Sequence, residues 1–349
     1  MENKRLREGV ERKKSTTKKI IFTILVTVVT TALLGCAAIA LYINYIIGLM
    51  NHVDGKSEPI SPEEMQDYIR EDMQTYDPDF TGDRIEPEDV VLETVGESIF
   101  DDTGVLNILL IGQDARPGED RARSDTMILC SINKQTGTLT FVSFMRDMYV
   151  SIPDYCYYKM NAAYAWGDMA LLNETVLVNF GVQVHGDVSV DFSAFEAVID
   201  KIGGVNVTLT ASEARYLGSR YSAGENCLDG EAALAYARLR SIGDGDFDRT
   251  ARQRKVLQGI MEKCSQMSLA ELNGLLETLL PLLDTNIAPE KLRCYATELL
   301  PILGKLTLGD GVQIPAEGTY RYAWVRDMSV LMPDLAENRK WLQEALYGT

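Results

Sequence analysis

Hydrophobic and polar positions divide the chain into three regimes. Residues 20–50 carry no charged side chain and are mostly Ile, Leu, Val, Ala and Thr. Residues 51–102 are polar, acidic and punctuated by proline. From residue 103 onward, apolar positions recur with the periods of strands and helices. Residues 105–112 form an apolar run of strand length, and 126–132 and 138–144 flank 133–137, which reads as a hairpin turn. A helix starts at Met160, and helices follow over 168–180, 192–202 and 229–240, with strands near 184–190 and 205–209. Another helix begins near Asp248, with an apolar stripe at Val256, Leu257, Ile260, Met261 and Cys264. The remainder reads as mainly helical, with amphipathic runs over 268–283 and 289–303 and a last helix near 333–347. Residues 103–349 are thus long enough for one sizeable α/β core.

This pattern already gathers chemistry. A hairpin places the start of its first strand and the end of its second at one sheet edge, and here those positions hold Asp125 and Arg146. The 113–124 loop brings Asp114 to the same edge if it joins neighbouring antiparallel strands. Two carboxylates suit a hard cation such as Mg²⁺, which takes one or two protein carboxylates plus phosphate oxygens and water. Arg123 and Arg146 would complete a phosphate shell. Taken singly, Asp114 also reads as a turn cap, Asp125 as a strand-start turn residue and Asp147 as a partner of Arg146.

Charge sharpens the picture. The chain has a formal net charge of −17, yet residues 238–255 hold Arg238, Arg240, Arg249, Arg252, Arg254 and Lys255. Arginines this dense in an acidic protein suit an anion, because guanidinium offers paired donors that match phosphate oxygens. Helical periods back from Val256 and Ile260 place Arg249 and Gln253 on the buried side of their helix, and Arg254 and Lys255 outside. A charge on the buried side needs a partner. Phosphate is one reading; pairing with Asp246 or Asp248 is the other.

At the amino terminus, residues 1–19 carry eight basic and three acidic side chains. The uncharged run that follows exceeds the roughly 20 residues that cross a bilayer, and the basic flank puts the amino terminus in the cytoplasm. Leu34-Gly35-Cys36 faintly resembles a lipid-attachment site, but the apolar run continues past Cys36, so an uncleaved anchor over 20–50 is expected. Residues 51–349 then lie outside the cell. Within 51–102, Ser61-Pro62-Glu63-Glu64 reads as a helix start, and the segment as an acidic stalk, an accessory element or a solvated spacer. Five cysteines beyond the anchor show no metal-ligand spacing and suggest no disulfide framework. An acidic external domain without a broad basic face disfavours nucleic-acid binding. Tyr149, Tyr155, Tyr157, Tyr158 and Trp166 line either a sugar-stacking surface or an ordinary core.

Several short motifs resemble those of the LytR-CpsA-Psr family of bacterial cell-envelope proteins. They are Asn107-Ile108-Leu109-Leu110-Ile111-Gly112-Gln113-Asp114, Arg123-Ser124-Asp125-Thr126-Met127, Ser143-Phe144-Met145-Arg146-Asp147 and Lys159-Met160-Asn161-Ala162-Ala163-Tyr164. Leu228-Asp229-Gly230 with Ala235-Tyr236-Ala237-Arg238-Leu239-Arg240, and Asp248-Arg249-Thr250-Ala251-Arg252-Gln253, complete the set in the family's order. The resemblance implies an α/β/α fold around a central mixed sheet. It also implies transfer of a glycopolymer (teichoic acid, capsular or other secondary wall polysaccharide) from polyprenyl pyrophosphate to peptidoglycan as a phosphodiester, with the lipid in an apolar channel. By motif matching, Asp114 and Asp125 are the Mg²⁺-associated carboxylates, and Arg123, Arg146, Lys159, Arg238, Arg240, Arg249 and Gln253 the pyrophosphate-binding set. Asp125, Arg146 and Arg249 would carry the chemistry, with Asp125 or Asp147 accepting the acceptor's proton. Arg252 lies beside the set, and 264–349 hold no matching motif. Two rivals remain: hydrolysis of the lipid pyrophosphate by the same residues, and a non-catalytic protein that binds or regulates envelope glycans.

Overall fold

The computed structural model describes residues 39–73, 80–100, 102–113 and 123–348. The chain divides into two units, Met1–Leu49 and Met50–Thr349. In the first, residues 39–47 are helical. The expected anchor over 20–50 falls mostly outside the described residues, among which no helix is long and apolar enough to cross a membrane.

The second unit is built on a mixed sheet. Its centre consists of β1 Val105–Gln113, β2 Ser124–Asn133, β3 Thr138–Phe144 and β4 Gly186–Val190. β2 pairs antiparallel with both β1 and β3, and β4 runs parallel to β1. Short strands widen both margins: Asp284–Thr285 and Asn51–His52 beyond β4, Thr307–Leu308 and Val312–Ile314 beside β3. Five helices bear on the site: α1 Pro62–Asp72, α2 Met160–Phe180, α3 Phe192–Lys201, α4 Gly230–Arg238 and α5 Gly245–Ser265.

Strand side chains alternate between two faces. Leu109, Ile111, Leu129 and Val142 enter the larger core with Trp166 and Leu172 of α2. Ile128, Leu139 and Phe141 enter the opposite core, against Leu257 and Met261 of α5. The sheet is therefore held between helices, as the family resemblance implied. A third core joins α3, α4 and α5 through Ile199, Tyr236 and Val256.

The two helical pieces expected over 160–180 are both present, joined end to end across a break within α2. Gly167 has φ −157° and Asp168 has φ +59°, outside helical geometry. The Asp168 carboxylate accepts from the Met169 amide (2.8 Å) and restarts the helix, while the Ala170 amide donates to the Gly55 carbonyl (2.9 Å). Tyr149, Tyr158 and Trp166 are wholly buried, so these aromatics pack as core.

Two expectations are corrected. The spacer reading of 51–102 does not hold for its described residues: Ile60, Ile69 and Val90 are buried in the main core, and Asp83–Arg84 adds a strand to Tyr320–Val325. A few apolar residues among many carboxylates anchor the segment. The expected helix start is present, with Ser61 and Glu64 forming a capping box and Pro62 at the first turn. Nor are residues 312–333 helical. They contain Val312–Ile314 and a hairpin of β5 Tyr320–Val325 and β6 Met328–Pro333. Its turn sets Arg326 and Asp327 at φ +50° and +56°. Such turns favour Asn-Gly, and Arg-Asp gives no such signal.

Asp187 is an unforeseen strain point. It is fully buried on β4, where Asn173 (2.6 Å) and Asn286 donate to one carboxylate oxygen, leaving Asp187 Oδ1 and Asn173 Oδ1 without a hydrogen-bond partner. Burial pushes its carboxyl up to about 7. The unfolded chain therefore ionises first, and stability falls as pH rises from about 4 to about 7. Asp187→Asn is expected to flatten that slope. Chemical denaturation should show the variant gaining on the wild type by up to a few kcal/mol between pH 4 and pH 8, at about 1.4 kcal/mol per pKa unit.

Candidate active site

The site forms where β2 begins and β3 ends. Antiparallel pairing puts Asp125 beside the turn after Phe144, and Arg146 Nη1 meets Asp125 Oδ1 at 2.9 Å. The backbone of this turn is pinned: Met145 N–H donates to the Ile314 carbonyl (2.8 Å) and Asn161 N–H to the Arg146 carbonyl (3.2 Å). Arg146 Nε also lies 3.1 Å from Asp147 and 3.3 Å from Asp246. Lys159, buried just before α2, reaches Asp147 at 3.2 Å.

From the other side, α4 and α5 deliver Arg240, Asp246, Arg249 and Gln253. Arg240 lies 3.5 Å from Asp125 and 3.1 Å from Asp246. Arg249 Nη1 lies 3.0 Å from Asp246 Oδ1, so the pairing with Asp246 is real. It does not satisfy the arginine. Arg249 is 3% exposed, and its Nε and Nη1 make no hydrogen bond of good geometry. Gln253 donates to Thr126 Oγ1 at 2.9 Å, next to Asp125.

Four cations thus face three carboxylates. Burial opposes ionisation of Asp125 and Asp147, but the cations prevail. Arg146, with Arg249 and Arg240, holds Asp125 below the usual carboxylate range, and Arg146 with Lys159 holds Asp147 near about 2. Arg249 moves the other way. Burial, reinforced by Arg146 and Arg240 against the pull of Asp246, lowers its guanidinium to about 10. Arg146, Asp147, Lys159 and Asp246 line one cavity of about 380 Å³.

A model of the LytR_cpsA_psr family matches residues 68–317. The chain belongs to that family. The polyisoprenyl-teichoic acid–peptidoglycan teichoic acid transferase TagU of Oceanobacillus iheyensis is 35% identical over 209 residues, 57% of this chain and 64% of that protein. The match therefore spans just under two thirds of that relative's length. The solved structure of TagT bound to LIIa-WTA superposes with a TM-score of 0.58 and 29% identity, over 72% of this chain and 96% of that one. TagT with bound octaprenyl pyrophosphate lipid gives 0.54 and 27%, over 74% and 99%.

The family match starts inside α1, and α1 reaches the site. Its last residue, Asp72, pairs with Arg123 and accepts from Tyr158 OH at 3.0 Å, and Asp72 and Arg123 both line the cavity. Arg238 is exposed, with its guanidinium 4.3 Å from the Phe192 ring centroid, a packing contact between α4 and α3. Asp114 lies outside the described residues. The strand position before it, Gln113, is in register with Ser124, beside Asp125. Among the described residues, no group of three His, Cys, Asp or Glu could hold a metal ion.

Sequence reasoning took Asp246 only as a possible partner of Arg249, whereas it contacts Arg146, Arg240 and Arg249 together. The Asp-x-Asp-Arg spacing of 246–249 was its one visible signal. Arg254 is also corrected: it donates to Ser143 Oγ at 2.8 Å instead of facing solvent, and burial depresses its guanidinium. The broad α5–sheet contact buries more of the helix surface than its apolar stripe indicated.

Arg252 has a structural task. Nearly buried, it pairs with Glu213 at 2.7 Å and donates to the carbonyls of Leu239 and Ile242 (2.9 and 2.8 Å), on both sides of Arg240. Arg252→Ala leaves a buried carboxylate and two carbonyls without it. Urea unfolding is expected to show a loss of about 3–5 kcal/mol, against no more than about 0.5 kcal/mol for exposed Lys255→Ala.

Proposed function

We propose that the protein is a membrane-anchored phosphotransferase. It moves a glycopolymer from a polyprenyl-pyrophosphate carrier to peptidoglycan, leaving a phosphodiester. The observation that carries this reading is Arg249, a buried guanidinium whose Nη2 reaches the Asp125 carbonyl at 3.4 Å but whose Nε and Nη1 make no hydrogen bond, in a site shared with Arg146, Arg240 and Lys159. A pyrophosphate supplies the missing acceptors and charge. The names and ligands of TagU and TagT agree with it.

Phosphoryl transfer depends mainly on positioning and charge stabilisation. Arg146, Arg240, Arg249 and Lys159 hold the pyrophosphate, with Arg123 on the cavity wall and Gln253 beside Asp125. The same donors stabilise the lipid phosphate as it leaves. Both candidate bases are weak while paired, since Arg146 holds Asp125 and Asp147 low. Substrate phosphate competes for those arginines. The carboxylate released by that competition is the one able to take the acceptor hydroxyl's proton. Asp125, with Asp114 from the adjoining loop sequence, would be the carboxylates to hold a Mg²⁺ ion, a hard cation that takes one or two protein carboxylates beside phosphate oxygens. When bound, it adds charge neutralisation at the phosphates. Residues 20–50 serve as the anchor, with residues 1–19 cytoplasmic and the domain outside the cell.

The test uses the full chain in detergent, a short lipid-pyrophosphate-linked glycan, peptidoglycan fragments and Mg²⁺. Arg249→Ala is expected to lower transfer about 10²–10³-fold, the usual cost of one transition-state donor, with an unchanged circular dichroism spectrum. Near-normal turnover in that variant removes Arg249 from the chemistry. Free glycan phosphate without linkage favours a hydrolase, and binding without turnover a non-catalytic protein.

A further inference from the structure

The phosphate cavity continues into an aromatic face that the family motifs do not include. Tyr320, Tyr322 and Trp324 alternate along β5 and so share one side of the hairpin. Trp324 is buried, whereas Tyr322 is 47% exposed. Tyr322 sits edge-on to Tyr320, with ring centroids 5.8 Å apart. Tyr320 in turn stacks on Phe247 at 5.2 Å, with the planes 25° apart. Phe247 directly follows Asp246, the carboxylate that contacts three of the site's arginines. Phe247 and Tyr322 line the phosphate cavity. Tyr320 lines a second cavity of about 470 Å³, whose wall also holds Asp89, Thr319, Arg321 and Asp334.

We infer that Tyr322 and Tyr320 form a stacking platform for the pyranose ring next to the transferred phosphate, and that the second cavity takes the adjoining sugar. This rests on reading the site as a glycan-phosphate transferase. An aromatic ring has a negative face, which attracts the polarised C–H groups on the apolar side of a sugar. A half-exposed tyrosine at the lip of a phosphate cavity offers such a face. Stacking on Phe247 fixes the platform's orientation. The Asp246–Phe247 peptide ties it to the arginines, so sugar and phosphate are held in one register. The carboxylates of Asp89 and Asp334 and the Arg321 guanidinium, which also pairs with Asp83, put polar groups on the second cavity's wall suited to sugar hydroxyls, in keeping with sites where a few polar groups orient a ligand on an apolar surface. The ring belongs either to the donor's first sugar or to the acceptor.

The experiment compares probes that differ only in the sugar, on the full chain in detergent. Isothermal titration would measure geranyl pyrophosphate, geranyl-pyrophosphoryl-N-acetylglucosamine and a muramic-acid-containing disaccharide peptide. The wild type, Tyr322→Ala and Tyr322→Phe would be compared. If the donor's sugar stacks, it strengthens wild-type binding about 10-fold over geranyl pyrophosphate. That ratio falls toward one in Tyr322→Ala and is retained in Tyr322→Phe, which keeps the ring. If the acceptor's sugar stacks, Tyr322→Ala instead weakens the disaccharide peptide by a similar factor. A wild type that binds geranyl pyrophosphate but shows neither effect overturns the platform and leaves the transferase reading intact. A wild type that binds no pyrophosphate overturns both.

Discussion

The ion pair between Arg146 and Asp125 is the constraint on which the site depends. It joins the start of one strand to the turn after the next, and every other charged group is arranged about it. Arg240 reaches Asp125 from the end of α4, Lys159 reaches Asp147 from the start of α2, and Asp246 closes the circuit from α5. Each cation is held partly by its own protein, which keeps buried charge tolerable. Arg249 is the least solvated of the four cations, and its Nε and Nη1 make no hydrogen bond of good geometry.

Such a site is pre-organised but not neutral. Its arginines are fixed by carboxylates, so the phosphate of the proposed substrate would exchange internal ion pairs for external ones. Exchange costs less than desolvating free arginines, because the groups already sit in a low-dielectric wall. In the proposed reaction it would also tie substrate binding to the carboxylates' readiness to accept a proton. Arg252 shows the contrasting use of the same side chain. Its guanidinium is fully spent on Glu213 and two carbonyls, and it serves the loop that carries Arg240.

The accessory segment changes what the domain is. Its helix α1 ends at Asp72, whose carboxylate holds Arg123 at the cavity wall. A segment that looks like an acidic tether therefore helps to shape the site, and its charge is partly consumed there. The β5–β6 hairpin also contributes, bringing half-exposed Tyr322, with Val330 and Leu331, to the wall of the same cavity.

The sequence by itself determined the central strands, because apolar runs of strand length on either side of turn residues read as a buried hairpin. It determined the meeting of Asp125 and Arg146, because a hairpin brings those ends together whatever surrounds it. It also determined that Arg249 and Gln253 face inward on α5, through helical periodicity, although not that Arg254 does. Only the tertiary structure decided the rest. Asp246 lies in a run of similar carboxylates, and just its position between three arginines distinguishes it. The hairpin at 320–333 was hidden by a turn whose residues carry no turn signature, and α1's role by the scarcity of its apolar contacts. Asp187 reads as an ordinary strand residue until packing removes its water. Local periodicity is written in neighbouring residues; burial and charge balance are sums over residues far apart in the chain.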